Sequence, residues 1–116
     1  MKKYIILLIF AVVGIVMAHG ASDVDLSFDE ENSILTITVE HSVKDPASHY
    51  IDEIIVELNG EEIIKQSFSK QTDDNYQVVS YVIIDAKAGD EIEAITNCSK
   101  FGKKKAKITV GETEEK

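Results

Sequence analysis

Along most of the chain apolar and polar residues alternate with a period of two, the pattern of strands that bury one face and expose the other. In 33-SILTITVEH-41 the residues Leu35, Ile37 and Val39 share one parity, and Thr36, Thr38 and Glu40 share the other. His41 continues the inward row. The segment 50-YIDEIIVELNGEEIIKQSF-68 holds two apolar stretches around Asn59-Gly60, with Ile54, Val56 and Leu58 alternating on the first arm. Asn-Gly is the dipeptide that best fits a two-residue hairpin turn, because both positions tolerate a positive φ. After the polar break 69-SKQTDDN-75, the run 76-YQVVSYVIID-85 sets Tyr76, Val78, Val82 and Ile84 on a common parity. A turn at 86-AKAGD-90 follows, with Gly89 as its permissive residue. The strand 91-EIEAITNC-98 then places Ile92, Ala94, Thr96 and Cys98 on one face, and 104-KKAKITV-110 points Ala106, Ile108 and Val110 inward and lysines outward. With 23-DVDLSF-28 the count reaches about seven short strands, and no long stretch has helical spacing. This pattern predicts an all-β, immunoglobulin-like antiparallel β-sandwich with its core between two sheets. The charged tail 111-GETEEK-116 is expected to fray.

The N-terminus departs from this pattern. Lys2 and Lys3 precede an apolar run from Tyr4 to Ala18, and the chain turns polar at 19-HGASDVD-25. A basic start, an apolar block too short to span a bilayer and small residues at its end predict a signal peptide over 1–18, with one domain over 19–116. The domain is therefore expected outside the cytoplasm, in the periplasm or the extracellular space, and off the membrane after cleavage. Cleavage removes two of the 12 basic residues and none of the 21 acids, which takes the net charge from −9 to −11. Such a balance repels nucleic-acid phosphates and anionic lipid. Every basic residue is a lysine, so the bidentate clamps that arginine forms are absent. A single cysteine excludes an internal disulfide. Exposed sheet edges leave room for a protein partner or a homo-oligomer.

Three histidines and one cysteine lie outside the leader: His19, His41, His49 and Cys98. Imidazole and thiolate are the ligands of choice for iron, copper and zinc. His41 and His49 flank the loop 42-SVKDPAS-48, whereas Cys98 has the parity of a core residue and equally suits a small buried side chain. There is no glycine-rich phosphate loop, no paired-cysteine zinc motif and no alternation of aromatic and basic residues. The lysine run at 103–105 reads as a solvated edge that discourages strand addition.

Taken together, His41, the loop containing Pro46, 49-HYIDEIIVELNG-60, 87-KAGD-90 and 91-EIEAITNCSKFG-102 resemble the iron-binding domain of the desulfoferrodoxin and superoxide reductase family. The resemblance runs over roughly residues 33 to 110 and implies the same sandwich. It also implies a mononuclear non-haem iron held by imidazoles and an axial thiolate, which gives one electron to superoxide and yields hydrogen peroxide. By position, His41 and His49 match two imidazole ligands, Cys98 the thiolate and His19 a ligand from the N-terminal segment. Lys44 takes the role of attracting the anionic substrate. Phe101 stands where the family carries a further histidine, so the chain resembles a divergent member lacking one ligand. The same stretch is also similar to the Z subunit of the bacterial thiosulfate-oxidation carrier complex, which implies a module that binds a partner and needs no metal. A third expectation comes from cleavage after Ala18. The free amine and imidazole of His19, with His41 or His49, would then suit copper.

Overall fold

A computed structural model describes residues 20–112, so the predicted leader 1–18 and the candidate ligand His19 lie outside the described residues. Seven strands follow one another: β1 (Asp23–Asp29), β2 (Ile34–Glu40), β3 (Ile51–Leu58), β4 (Glu61–Ser67), β5 (Tyr76–Val82), β6 (Glu91–Cys98) and β7 (Lys103–Thr109). They match the seven runs of alternating residues, and no helix interrupts them among the described residues. One sheet has the order β1-β2-β5 and the other β4-β3-β6-β7, with every pairing antiparallel.

The place of β4 follows from its turn. Asn59 and Gly60 both have positive φ, 51° and 86°, the backbone that a two-residue hairpin requires. Such a turn can join only neighbouring strands, so β4 stays beside β3. In the constant-type immunoglobulin arrangement the fourth strand belongs to the other sheet. Asn59 also docks the turn onto β6: its backbone N–H donates to the Glu91 carbonyl at 2.8 Å, and its Oδ1 accepts the Glu91 N–H at 2.9 Å.

Leu35, Ile37 and Val39 of β2, Ile54 and Val56 of β3, and Ile92 and Ala94 of β6 are fully buried in one cluster. Ile51 is equally buried although it lies three residues before Ile54. A bulge between Ile51 and Glu53 in the pairing with β6 resets the alternation and lets both face inward.

On β5 the common face of Tyr76, Val78, Val82 and Ile84 is the outer one, and their exposures run from 40% to 79%. The register with β2 explains it. Val79 pairs with Ile37 and Val78 with Thr38, and paired residues share a face of the sheet, so the inner positions fall to Gln77, Val79, Tyr81 and Ile83. Gln77 is buried there because its Oε1 accepts the Thr72 N–H at 2.9 Å. The free edge of β5 is partly strapped by the preceding residues. Val78 N–H donates to Thr72 Oγ1 at 2.9 Å, Tyr76 N–H to Asp73 Oδ1 at 2.8 Å, and Asp73 N–H to the Tyr76 carbonyl at 3.1 Å.

Candidate metal centre

Antiparallel topology gathers four connections at one end of the sandwich: the entry at 20–22, the loop 41–50, the strap 68–75 and the turn 99–102. His41 directly follows β2, and its N–H reaches the Asn75 carbonyl at 2.9 Å, which carries the β2–β5 ladder one step further. The imidazole thereby keeps its place in the inward row, with 4% exposure. The loop to His49 is braced from within. Asp45 accepts the Ala47 N–H on Oδ1, and its carbonyl accepts the N–H groups of Ser48 and His49, each at 3.0 Å. It is braced from outside by Val43 N–H on the Asp74 carbonyl at 2.8 Å and Gln71 N–H on the Pro46 carbonyl at 3.0 Å.

Cys98 ends β6 opposite Ile51 and is buried. Its N–H donates to the Gly102 carbonyl at 2.9 Å, which closes a tight turn where Gly102 takes a φ of 112°. Ser99 N–H donates to the Tyr50 carbonyl at 2.8 Å and Tyr50 N–H to Ser99 Oγ at 3.1 Å. Those two bonds hold the residues next to His49 and Cys98 side by side. His49 Nε2 lies 3.2 Å from Cys98 Sγ, and the rings of His41 and His49 meet edge to face with centroids 4.9 Å apart. One donor atom from each of His41, His49 and Cys98 lies within 4.8 Å of the others.

This donor set fits a first-row transition metal. Bonds of about 2.05 Å to imidazole and about 2.3 Å to thiolate, set at right angles to tetrahedral angles, put N and S roughly 3.1–3.6 Å apart. The His49–Cys98 separation falls in that span. Of the residues the sequence proposed, the structure thus brings together His41, His49 and Cys98. Lys44 is exposed on the loop between the histidines, and Phe101 is 55% exposed in the turn after Cys98.

Nothing in the sequence pattern pointed to Gln71. Its side chain is 2% exposed beneath His41. Its Oε1 lies 2.7 Å from His41 Nδ1 and accepts the Ile51 N–H at 3.2 Å, and its Nε2 donates to the carbonyls of His41 at 2.8 Å and Asp73 at 3.0 Å. Among the described residues no buried side-chain nitrogen or oxygen lacks a partner.

The sequence matches no family model and no curated protein. Solved structures do match the fold. The superoxide reductase of Giardia intestinalis aligns with 78% of this chain and 99% of its own at 16% identity and a TM-score of 0.60. A superoxide reductase (neelaredoxin) variant from Ignicoccus hospitalis covers 84% of this chain and 83% of its own at 14% identity and a TM-score of 0.51. A superoxide reductase in the oxidised state covers 79% and 90% at 12% identity and a TM-score of 0.52. The chain has the superoxide reductase fold.

Proposed function

We propose that this chain is an exported iron-binding domain of superoxide reductase type, cut from its leader after Ala18. The observation that carries the reading is the convergence of His41, His49 and Cys98 at one end of a sandwich shared with superoxide reductases. These three residues would hold the ion, and a bound iron supplies one-electron chemistry between its ferrous and ferric states. Cys98 contributes an anionic, polarisable sulfur that favours the higher charge, and the two imidazoles are neutral donors. The buried setting of His41 and Cys98 limits water around them.

His19 is the fourth ligand in this reading, and the placement of Gly20 supports it. A Cβ on Gly20 would lie 3.0 Å from the Gly102 carbonyl carbon and 3.2 Å from Lys103 N. Ser22 N–H donates to the carbonyl of Glu40, the neighbour of His41, at 2.8 Å. The chain therefore enters between His41 and the Cys98 turn. Lys44 on the ligand loop, with Lys100, Lys103 and Lys104 close after Cys98, supplies positive charge near the site in an otherwise acidic chain. Such a local field draws an anion such as superoxide against an unfavourable net charge.

The test is metal analysis of the protein purified without oxygen, loaded with ferrous iron and then oxidised. One iron per chain and a visible thiolate-to-iron absorption band, absent in Cys98→Ala, is the expected result. Stoichiometric copper in place of iron, lost when the chain does not begin at His19, would favour the amine-and-imidazole site. No retained metal and no band would sink the reading. A second function would then come forward, a partner-binding module without metal, favoured by the exposed apolar row of β5.

A further inference from the structure

We infer that Gln71 is a positioning residue that fixes the tautomer and orientation of His41, leaving Nε2 bare for a metal. The inference rests on the metal-binding reading for its purpose, but its geometry stands without an ion. The amide of Gln71 has only one consistent orientation. The Ile51 N–H is a donor alone, so the atom facing it must be Oε1. The carbonyls of His41 and Asp73 are acceptors alone, so the atom facing them must be Nε2. Reversing the amide would turn all three contacts into repulsions.

Once the amide is fixed, the ring follows. Oε1 cannot donate, so at 2.7 Å the proton between it and His41 must come from Nδ1. A neutral imidazole carries a single N–H, so Nε2 keeps its lone pair. Metal-bound histidines commonly give their other N–H to a carboxylate, a carbonyl or water. Here a neutral amide does this and adds no charge to the site. The same side chain also joins three pieces of the site: the His41 carbonyl at the end of β2, the Ile51 N–H at the start of β3 and, through its own backbone N–H, Pro46 of the ligand loop.

The experiment reads the ring directly. In the protein as isolated, free of metal and near pH 8, long-range 1H–15N spectra distinguish protonated from bare ring nitrogens. His41 is expected as a single species with Nδ1 protonated and Nε2 bare. A single Nε2–H species, or an even mixture, overturns the inference without any variant being made. In Gln71→Leu, with folding checked by its amide spectrum, His41 is expected to become a mixture. Its ferrous-ion affinity is expected to fall about 10- to 100-fold. A folded Gln71→Leu protein with an unchanged tautomer and unchanged affinity also overturns it. Should that variant fail to fold, Gln71→Glu takes its place. Its carboxylate still accepts the Nδ1 proton, so His41 is expected to stay a single species with Nδ1 protonated and Nε2 bare, and an Nε2–H species or a mixture in the folded variant overturns the inference. Failure of the unaltered protein to hold ferrous iron strikes the functional reading alone, because the tautomer is read without metal.

Discussion

Two surface carboxylates show how single residues fasten the turns that set the strand order. Asp90 accepts the Lys87 N–H at 2.9 Å and the Asn59 side-chain N–H at 3.2 Å, and so links two turns at the end remote from the histidines. The backbone bond from Lys87, then the bond from Asn59, hold its carboxyl below the usual range. Asp29 is lowered in the same way, first by the Asn32 side chain and then by the Asn32 and Glu31 backbone. A carboxylate whose folded pKa lies below its unfolded value of about 3.9 stabilises the fold above that pH. The contribution is lost as pH falls through the folded value. The unfolding temperature should therefore drop as the solution is taken below about pH 4. Asp90→Asn is expected to lower it at neutral pH and to flatten the acid limb. Parallel melting curves at pH 7 and pH 3 make the comparison, and an unchanged acid slope would count against this role.

Strands carry unequal information in their own sequence. On β2 and β6 one parity is apolar and the other polar, so Leu35, Ile37, Val39, Ile92 and Ala94 could be placed inside from alternation alone. On β5 both parities are apolar, and only the register with β2 decides that Val79 turns in and Val82 turns out. Gln71 and Gln77 were illegible for a related reason. A buried amide is acceptable only when its partners are in place, and those of Gln71 include His41, 30 residues away. Strand parity and the family resemblance agreed on His41 and Cys98, whereas His49, which precedes β3, was legible from the resemblance and its place at the end of the loop. Phe101 was legible as a departure, and its exposure shows why the chain tolerates it. Core and outer row are expected to respond oppositely to truncation. Ile54→Ala, at a fully buried site, should cost about 2–5 kcal/mol. Ile84→Ala, at 79% exposure, should stay within about 0.5 kcal/mol. Urea titration of both variants measures the contrast, and equal losses would mean that the β5 row is covered in solution.

At the scale of the molecule, the chain changes sheet three times: from β2 to β3, from β4 to β5 and from β5 to β6. His41 and His49 sit on the first crossing and Gln71 on the second, and Cys98 lies half the chain away. The three candidate donor atoms can therefore meet only after both sheets have formed. An ion that binds the folded state alone adds stability by mass action, about 2.7 kcal/mol at 100 times its dissociation constant. For a domain of this size that raises the melting temperature by roughly 10 °C or more. Anaerobic melting with ferrous iron should show the rise in the unaltered protein and none in Cys98→Ala.

The strap over β5 has a consequence for how the protein fails. β5 is the one described strand without a charged residue, so it lacks the lysine or glutamate that usually discourages another chain from adding to an edge. Thr72 and Asp73 do that work instead, and they directly follow the residue that seats His41. Damage that frees Gln71 therefore also uncovers a sticky edge. A displaced His41 ring and the onset of turbidity would then be two signs of one lesion.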